Sequence, residues 1–134
     1  MTEEELCKSI IDVMLNKKSQ DIQLFNVKEI SLLADYIAIC SGTSKVHIQA
    51  IANGIMELAK EKNLKIYGCE GMKEGLWILL DAGTVIVHLM NPIIRQFYNL
   101  ERLWANANSI SIDEKTNVDL FLFEHNLVKA NETI

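Results

Sequence analysis

Proline is almost absent from this chain of 134 residues: Pro92 is the one example. Such a composition leaves no room for a proline-rich linker or arm, and it turns the single proline into a marker for a helix start. Arginine is nearly as scarce. Arg95 and Arg102 are the two among thirteen Lys and Arg residues, set against eighteen Asp and Glu, for a net charge of −5. Bidentate phosphate recognition favours arginine, and a nucleic-acid surface needs a basic stripe. Little direct nucleic-acid contact is therefore expected. The three cysteines, Cys7, Cys40 and Cys69, are widely spaced and odd in number. They form neither a CxxC pair nor a disulfide framework, which points to a reducing compartment. No apolar run approaches the ~20 residues that cross a bilayer. The opening MTEEELCKSI is acidic where a targeting peptide is basic. The expected location is the cytoplasm, with no membrane partner.

What is present is a globular composition, 49% apolar. A single domain of this length can bury roughly two thirds of its unfolded surface. Thr2 followed by Glu5 is a capping box, and Leu6, Ile10, Val13 and Met14 recur at helical spacing, so residues 3–16 are expected to be helical. DIQLFNV (21–27) reads as a strand, and YIAICS (36–41) as a strand covered on both faces. Val46, Ala50, Ile51, Ile55, Leu58 and Ala59 carry a helix to about Lys62, with Asn63 as its cap. LKIYGC (64–69) is expected to be the next strand. Strand, helix and strand from 36 to 69 then form a parallel, right-handed βαβ unit.

WILLDAGTVIVHLM (77–90) reads as a hairpin turning at Ala82-Gly83. That register pairs Asp81 with Thr84, Leu79 with Ile86 and Trp77 with His88. One face is purely aliphatic (Ile78, Leu80, Val85, Val87, Leu89) and must be core. The other mixes Trp77, Leu79, Asp81, Thr84, Ile86, His88 and Met90, and is the candidate functional face. Pro92 opens a helix over 93–104. NANSISIDEKTN (106–117) is polar and turn-rich, and 118–130 mixes apolar and charged residues as a docked helix or strand would.

Several chemistries need residues this chain lacks. The Gly42-Thr43-Ser44 turn between strand and helix has the outline of a phosphate site, yet neither GxxxxGK[ST] nor GxGxxG is present. Helix capping by Thr43 or Ser44 is the stronger reading. A nucleotide-transfer site there also needs two carboxylates on the following strand pair to hold Mg²⁺. Asp81 is the one acid on WILLD, and 85–90 has none. The histidines His47, His88 and His125 are too scattered for a metal site. Neither cofactor nor metal is expected, and no residue is assigned a catalytic role. Residues 77–104 instead gather two Trp, a Tyr, a Met and both arginines, residue types enriched at protein interfaces.

In DYIAICSGTS (35–44), EG (70–71), WILLDAGTVIVHLM and RQFYNLERLW the chain resembles the Iojap family, the ribosomal silencing factors. The resemblance runs from about residue 5 to 105. It implies a single-domain α/β fold with a mixed β-sheet flanked by helices, similar in outline to nucleotidyltransferases but without their catalytic carboxylates. It implies a protein that is not an enzyme. By this resemblance it binds the large ribosomal subunit through the subunit's protein fourteen and sterically blocks joining of the small subunit, repressing translation under nutrient limitation. Within the matching positions the expected partner surface is Trp77, His88, Tyr98 and Trp104, with Asp81 and Glu101 as charged rim. Residues 1–105 form the matching domain and 106–134 a C-terminal extension. Two other readings stand beside it: a small nucleotide-binding enzyme using the Gly42-Thr43-Ser44 turn, and a homodimeric structural module.

Overall fold

A computed structural model describes residues 1–122. Its elements are α1 (Glu3–Asn16), β1 (Gln20–Asn26), β2 (Tyr36–Ser41), α2 (Lys45–Glu61), β3 (Gly68–Glu70), β4 (Trp77–Asp81), β5 (Val85–Met90), α3 (Pro92–Tyr98), a 3₁₀ turn (Leu100–Trp104) and β6 (Asn108–Ile112). Residues 118–122 are helical again. The expected capping box starts α1. Glu5 N–H donates to Thr2 Oγ1 at 3.1 Å, and Thr2 N–H donates back to Glu5 Oε2 at 3.3 Å. Three glutamates in the first turn favour the positive end of the helix dipole.

The strands form one mixed sheet in the order β3-β4-β5-β2-β1-β6. β2 and β5 run parallel and the other neighbours antiparallel. β2 is central, and all six of its residues are buried, as its continuous apolar run requires. α1 and α2 cover one face. Cys7, Ile10, Ile11 and Met14 of α1 and Ile48, Ile51 and Ile55 of α2 meet Leu24, Tyr36, Ala38, Leu80, Val87 and Leu89 there. The hairpin's aliphatic residues are all fully buried on this side. The opposite face carries a smaller core of Phe25, Val27, Ala34, Ile37, Ile39 and Met90, under α3 and the 3₁₀ turn.

The structure corrects several expectations. The strand expected over 64–69 is confined to Gly68–Glu70, pairs with β4, and lies at the sheet edge. The parallel neighbour of β2 is β5, so the crossover passes over two strands. Asn63 is left-handed (φ 55°), and Leu64 N–H returns to Ala59 C=O at 2.7 Å, which spends these residues on closing α2. The hairpin turns at Gly83-Thr84, with Ala82 N–H bonded to Val85 C=O, and Trp77 pairs with Met90 while Leu79 pairs with His88. Gly83 has φ 85°, as the first central position of a type II′ turn needs. A shift of two residues leaves every side chain on its expected face, because strand side chains repeat every two. The helix expected over 93–104 breaks at Asn99. Within the stretch read as turn-rich, 108–112 are a strand that covers the edge of β1. Cys40 is buried as a small hydrophobe, whereas Cys69 is exposed on the edge strand. His125 and most of 118–130 lie outside the described residues.

Candidate functional site

The mixed face of the hairpin is roofed by a short, tightly specified segment. Asn91 Oδ1 accepts from Ile93 N–H at 2.9 Å and Ile94 N–H at 3.3 Å, and Pro92 supplies the first helical position. α3 stops after seven residues because Asn99 turns left-handed (φ 48°, ψ 56°), and the 3₁₀ turn follows in a new direction. Neither piece contains a fully buried residue. They rest on the sheet through half-buried Ile94, Leu100 and Trp104.

Beneath them is an aromatic cluster built around His88, which is 7% exposed. Trp77 Nε1–H donates to His88 Nδ1 at 3.1 Å. Indole N–H is a donor only, so Nδ1 accepts and the imidazole proton sits on Nε2. Burial pushes the His88 pKa down to about 4, and the nearby Glu101 charge opposes this more weakly. The ring is neutral at pH 7 and serves as a spacer. Trp77 lies on one side of it (centroids 6.0 Å) and Trp104 on the other (6.3 Å). Trp104 also meets Phe25 at 6.0 Å, and Trp77 meets Tyr98 at 5.1 Å. From Tyr98 the stack reaches solvent through an edge-to-face contact with Phe97, also 5.1 Å. Tyr98 is 54% and Phe97 79% exposed, with Ile93, Leu103 and Leu76 also exposed. The result is a rigid aromatic base beneath an apolar surface.

The sequence-expected Trp77, His88, Tyr98 and Trp104 are thus brought together. Glu101 stands beside them, with Oε1 2.6 Å from Arg95 Nε. Asp81 does not join them. It lies roughly 13 Å along β4 from Trp77, where its Oδ1 accepts Gly83 N–H at 2.8 Å and braces the hairpin turn. Sequence reasoning missed Phe97 and Ile93 as surface residues. Both fall within the stretch 93–104 expected as a single helix, and neither is singled out there. Their signal was the shortness of α3, which Asn99 conceals.

The Gly42-Thr43-Ser44 turn is occupied by its own helix. Ser44 is the N-cap, its Oγ accepting His47 N–H at 3.1 Å. Thr43 N–H donates to His47 Nδ1 at 2.9 Å, and His47 Nε2 lies 2.6 Å from the carbonyl oxygen of Lys17. Gly42 N–H bonds Met90 C=O at 3.2 Å. The amides of Gly42 and Thr43, which a phosphate would use, are engaged internally, and the turn instead ties the end of α1 to the start of α2. Among the described residues no group of three His, Cys, Asp or Glu side chains is placed to hold a metal ion. Nor is any helix among them long and apolar enough to cross a membrane.

Fold and surface together define a class: a small α/β protein that presents a braced aromatic patch. The sequence model described as "Ribosomal silencing factor during starvation" matches residues 1–131. Ribosomal silencing factor RsfS of Halalkalibacterium halodurans is 35% identical over 113 residues, covering 84% of this chain and 97% of that protein. Mitochondrial assembly of ribosomal large subunit protein 1 of Mus musculus is 29% identical over 99 residues, 72% of this chain and 41% of that one. A crystal structure of a Chromobacterium violaceum protein has a TM-score of 0.77 at 31% identity, covering 87% of this chain and 92% of that chain. The chain belongs to the ribosomal silencing factor family, to which the Iojap proteins are also related.

Proposed function

We propose that this protein binds the large ribosomal subunit in the cytoplasm, through the subunit's protein fourteen, and silences translation by occupying the space where the small subunit docks. It acts as a wedge and carries out no reaction. The observation that carries this reading is the exposed apolar surface of Tyr98, Phe97 and Ile93 above the Trp77–His88–Trp104 base. Large, pre-organised aromatic side chains lose little conformational freedom on docking, so they give much binding energy per residue. The acidic balance of the chain, −5 overall, suits a basic ribosomal-protein partner and speeds encounter. Family membership supports a ribosomal target, and the name of the murine relative supports the large subunit in particular.

The test is co-sedimentation with purified large and small subunits, separately and mixed. The protein is expected to pellet with the large subunit alone and to reduce formation of joined ribosomes. Tyr98→Ala removes an exposed anchor without touching the hydrogen bond to His88. It should weaken binding by about 2 kcal/mol, a roughly 30-fold rise in Kd, at little change in Tm. Pelleting with neither subunit would sink the reading.

A further inference from the structure

The docking face has two halves carried by two different elements. Tyr98 belongs to α3 and Trp104 to the 3₁₀ turn, and the chain between them pivots at left-handed Asn99. A seven-residue helix and a 3₁₀ turn do not hold a position by their own hydrogen bonds. Half-buried Ile94, Leu100 and Trp104 seat them on the sheet, but neither owns a fully buried side chain. Setting the angle between them calls for a contact that spans the pivot.

Arg95 occupies that place. Its Nε donates to Glu101 Oε1 at 2.6 Å, across the Asn99 pivot from α3 to the 3₁₀ turn. Its Nη1 donates to the Asp21 carbonyl at 2.7 Å and to Ser41 Oγ at 3.0 Å, reaching β1 and the end of β2. One side chain, 11% exposed, thereby ties four elements together. Asp21 is itself left-handed (φ 48°) at the irregularity between Gln20 and Gln23, which aims its carbonyl off the ladder and toward the guanidinium. The flat fork of a guanidinium directs donors along several fixed directions at once, whereas an ammonium offers a single nitrogen.

We infer that Arg95 is a positioning residue: it locks α3 and the 3₁₀ turn at one angle, and so holds Tyr98 and Trp104 as a single docking surface. This rests on the ribosome reading for its consequence, but the geometry is testable without ribosomes. The two tryptophans give two indole N–H resonances, and one of them, Trp77, is hydrogen-bonded to His88. In Arg95→Lys, which keeps the charge, the Trp104 indole resonance should shift or broaden as the 3₁₀ turn is released. In Ile55→Val, a core change on the opposite face of the sheet, it should stay in place. Large-subunit affinity, measured well below either Tm, should fall at least tenfold in Arg95→Lys and less than twofold in Ile55→Val. Arg95→Gln combined with Glu101→Gln removes both charges together. It should behave like Arg95→Lys, which separates lost positioning from an unpaired carboxylate. An unmoved Trp104 resonance in Arg95→Lys overturns the inference. So does a moved resonance with affinity no weaker than that of Ile55→Val. If the native protein binds no subunit while the resonance moves, the ribosome reading falls and the positioning role stands.

Discussion

His88 shows how one buried residue can organise an aromatic cluster while staying inert. It accepts the Trp77 N–H, separates two indoles, and stays neutral because burial holds its pKa near 4 against an ordinary 6.5. Between those values the unfolded chain binds a proton that the folded chain refuses, so stability rises with pH across that window. The contribution is complete above pH 6.5 and is lost as pH falls toward 4, by at most about 3 kcal/mol. Glu3, raised chiefly by its hydrogen bond to Asp35, works in the opposite sense. The comparison should therefore be native protein against His88→Phe, by urea unfolding at pH 7, 5.5 and 4.5. The difference between the two should change in favour of the variant on acidification, and parallel curves would count against this account. Trp77→Phe keeps the ring but strands a buried acceptor, and should cost about 1–2 kcal/mol at pH 7.

Among the elements, the decisive features are backbone positions where a side chain does not fit. Gly71 has φ 88°, and a Cβ there would lie 2.0 Å from the carbonyl oxygen of Trp77. That glycine lets the loop after β3 pass against the start of β4, so the Glu70-Gly71 signature supports the strand that carries Trp77. Gly71→Ala should destabilise by about 2–4 kcal/mol in thermal unfolding and disturb the Trp77 indole resonance as well. At Asn99 the left-handed conformation predicts a different pattern: Asn99→Gly near neutral and Asn99→Ala about 1 kcal/mol less stable. Equal effects of Gly and Ala there would mean that the pivot is not the reason α3 stops.

For the whole molecule, the sheet closes only with β6. Ile22, Leu24 and Asn26 of β1 pair with Ile112, Ile110 and Asn108, and Ile112, Val118 and Leu122 join the helix-side core. Lys8 Nζ, 2.8 Å from Asp119 Oδ2, links α1 to the helical residues that follow β6. Cutting the chain after Ala105 would bare the ladder groups of β1 and remove those core residues. Such a protein should melt at a lower temperature and self-associate through the exposed edge, which light scattering and thermal unfolding would report.

Local rules settled a good part of this molecule. The capping box, the apolar stripe of α1, the buried run of β2 and the two unlike faces of the hairpin follow from spacing alone, because helix and strand periods sort side chains whatever the tertiary context. The absence of an acid pair on β4 and β5 was legible in the same way, and so was the gathering of two Trp, a Tyr, a Met and both arginines between 77 and 104. Other outcomes needed the folded chain. Leu64 and Ile66 look like strand until α2 requires a closing turn, and 108–112 look like loop until β1 offers an edge. Asp81 looks uncommitted until Gly83 N–H donates to its carboxylate. Asn99 divides one apparent helix into two, and that break turns Phe97 and Ile93 outward while Arg95 reaches back to Ser41. Periodicity reports which side chains share a face. It does not report which distant carbonyl and hydroxyl will receive a guanidinium, and those contacts are made only when residues 74 and 54 positions apart meet in space.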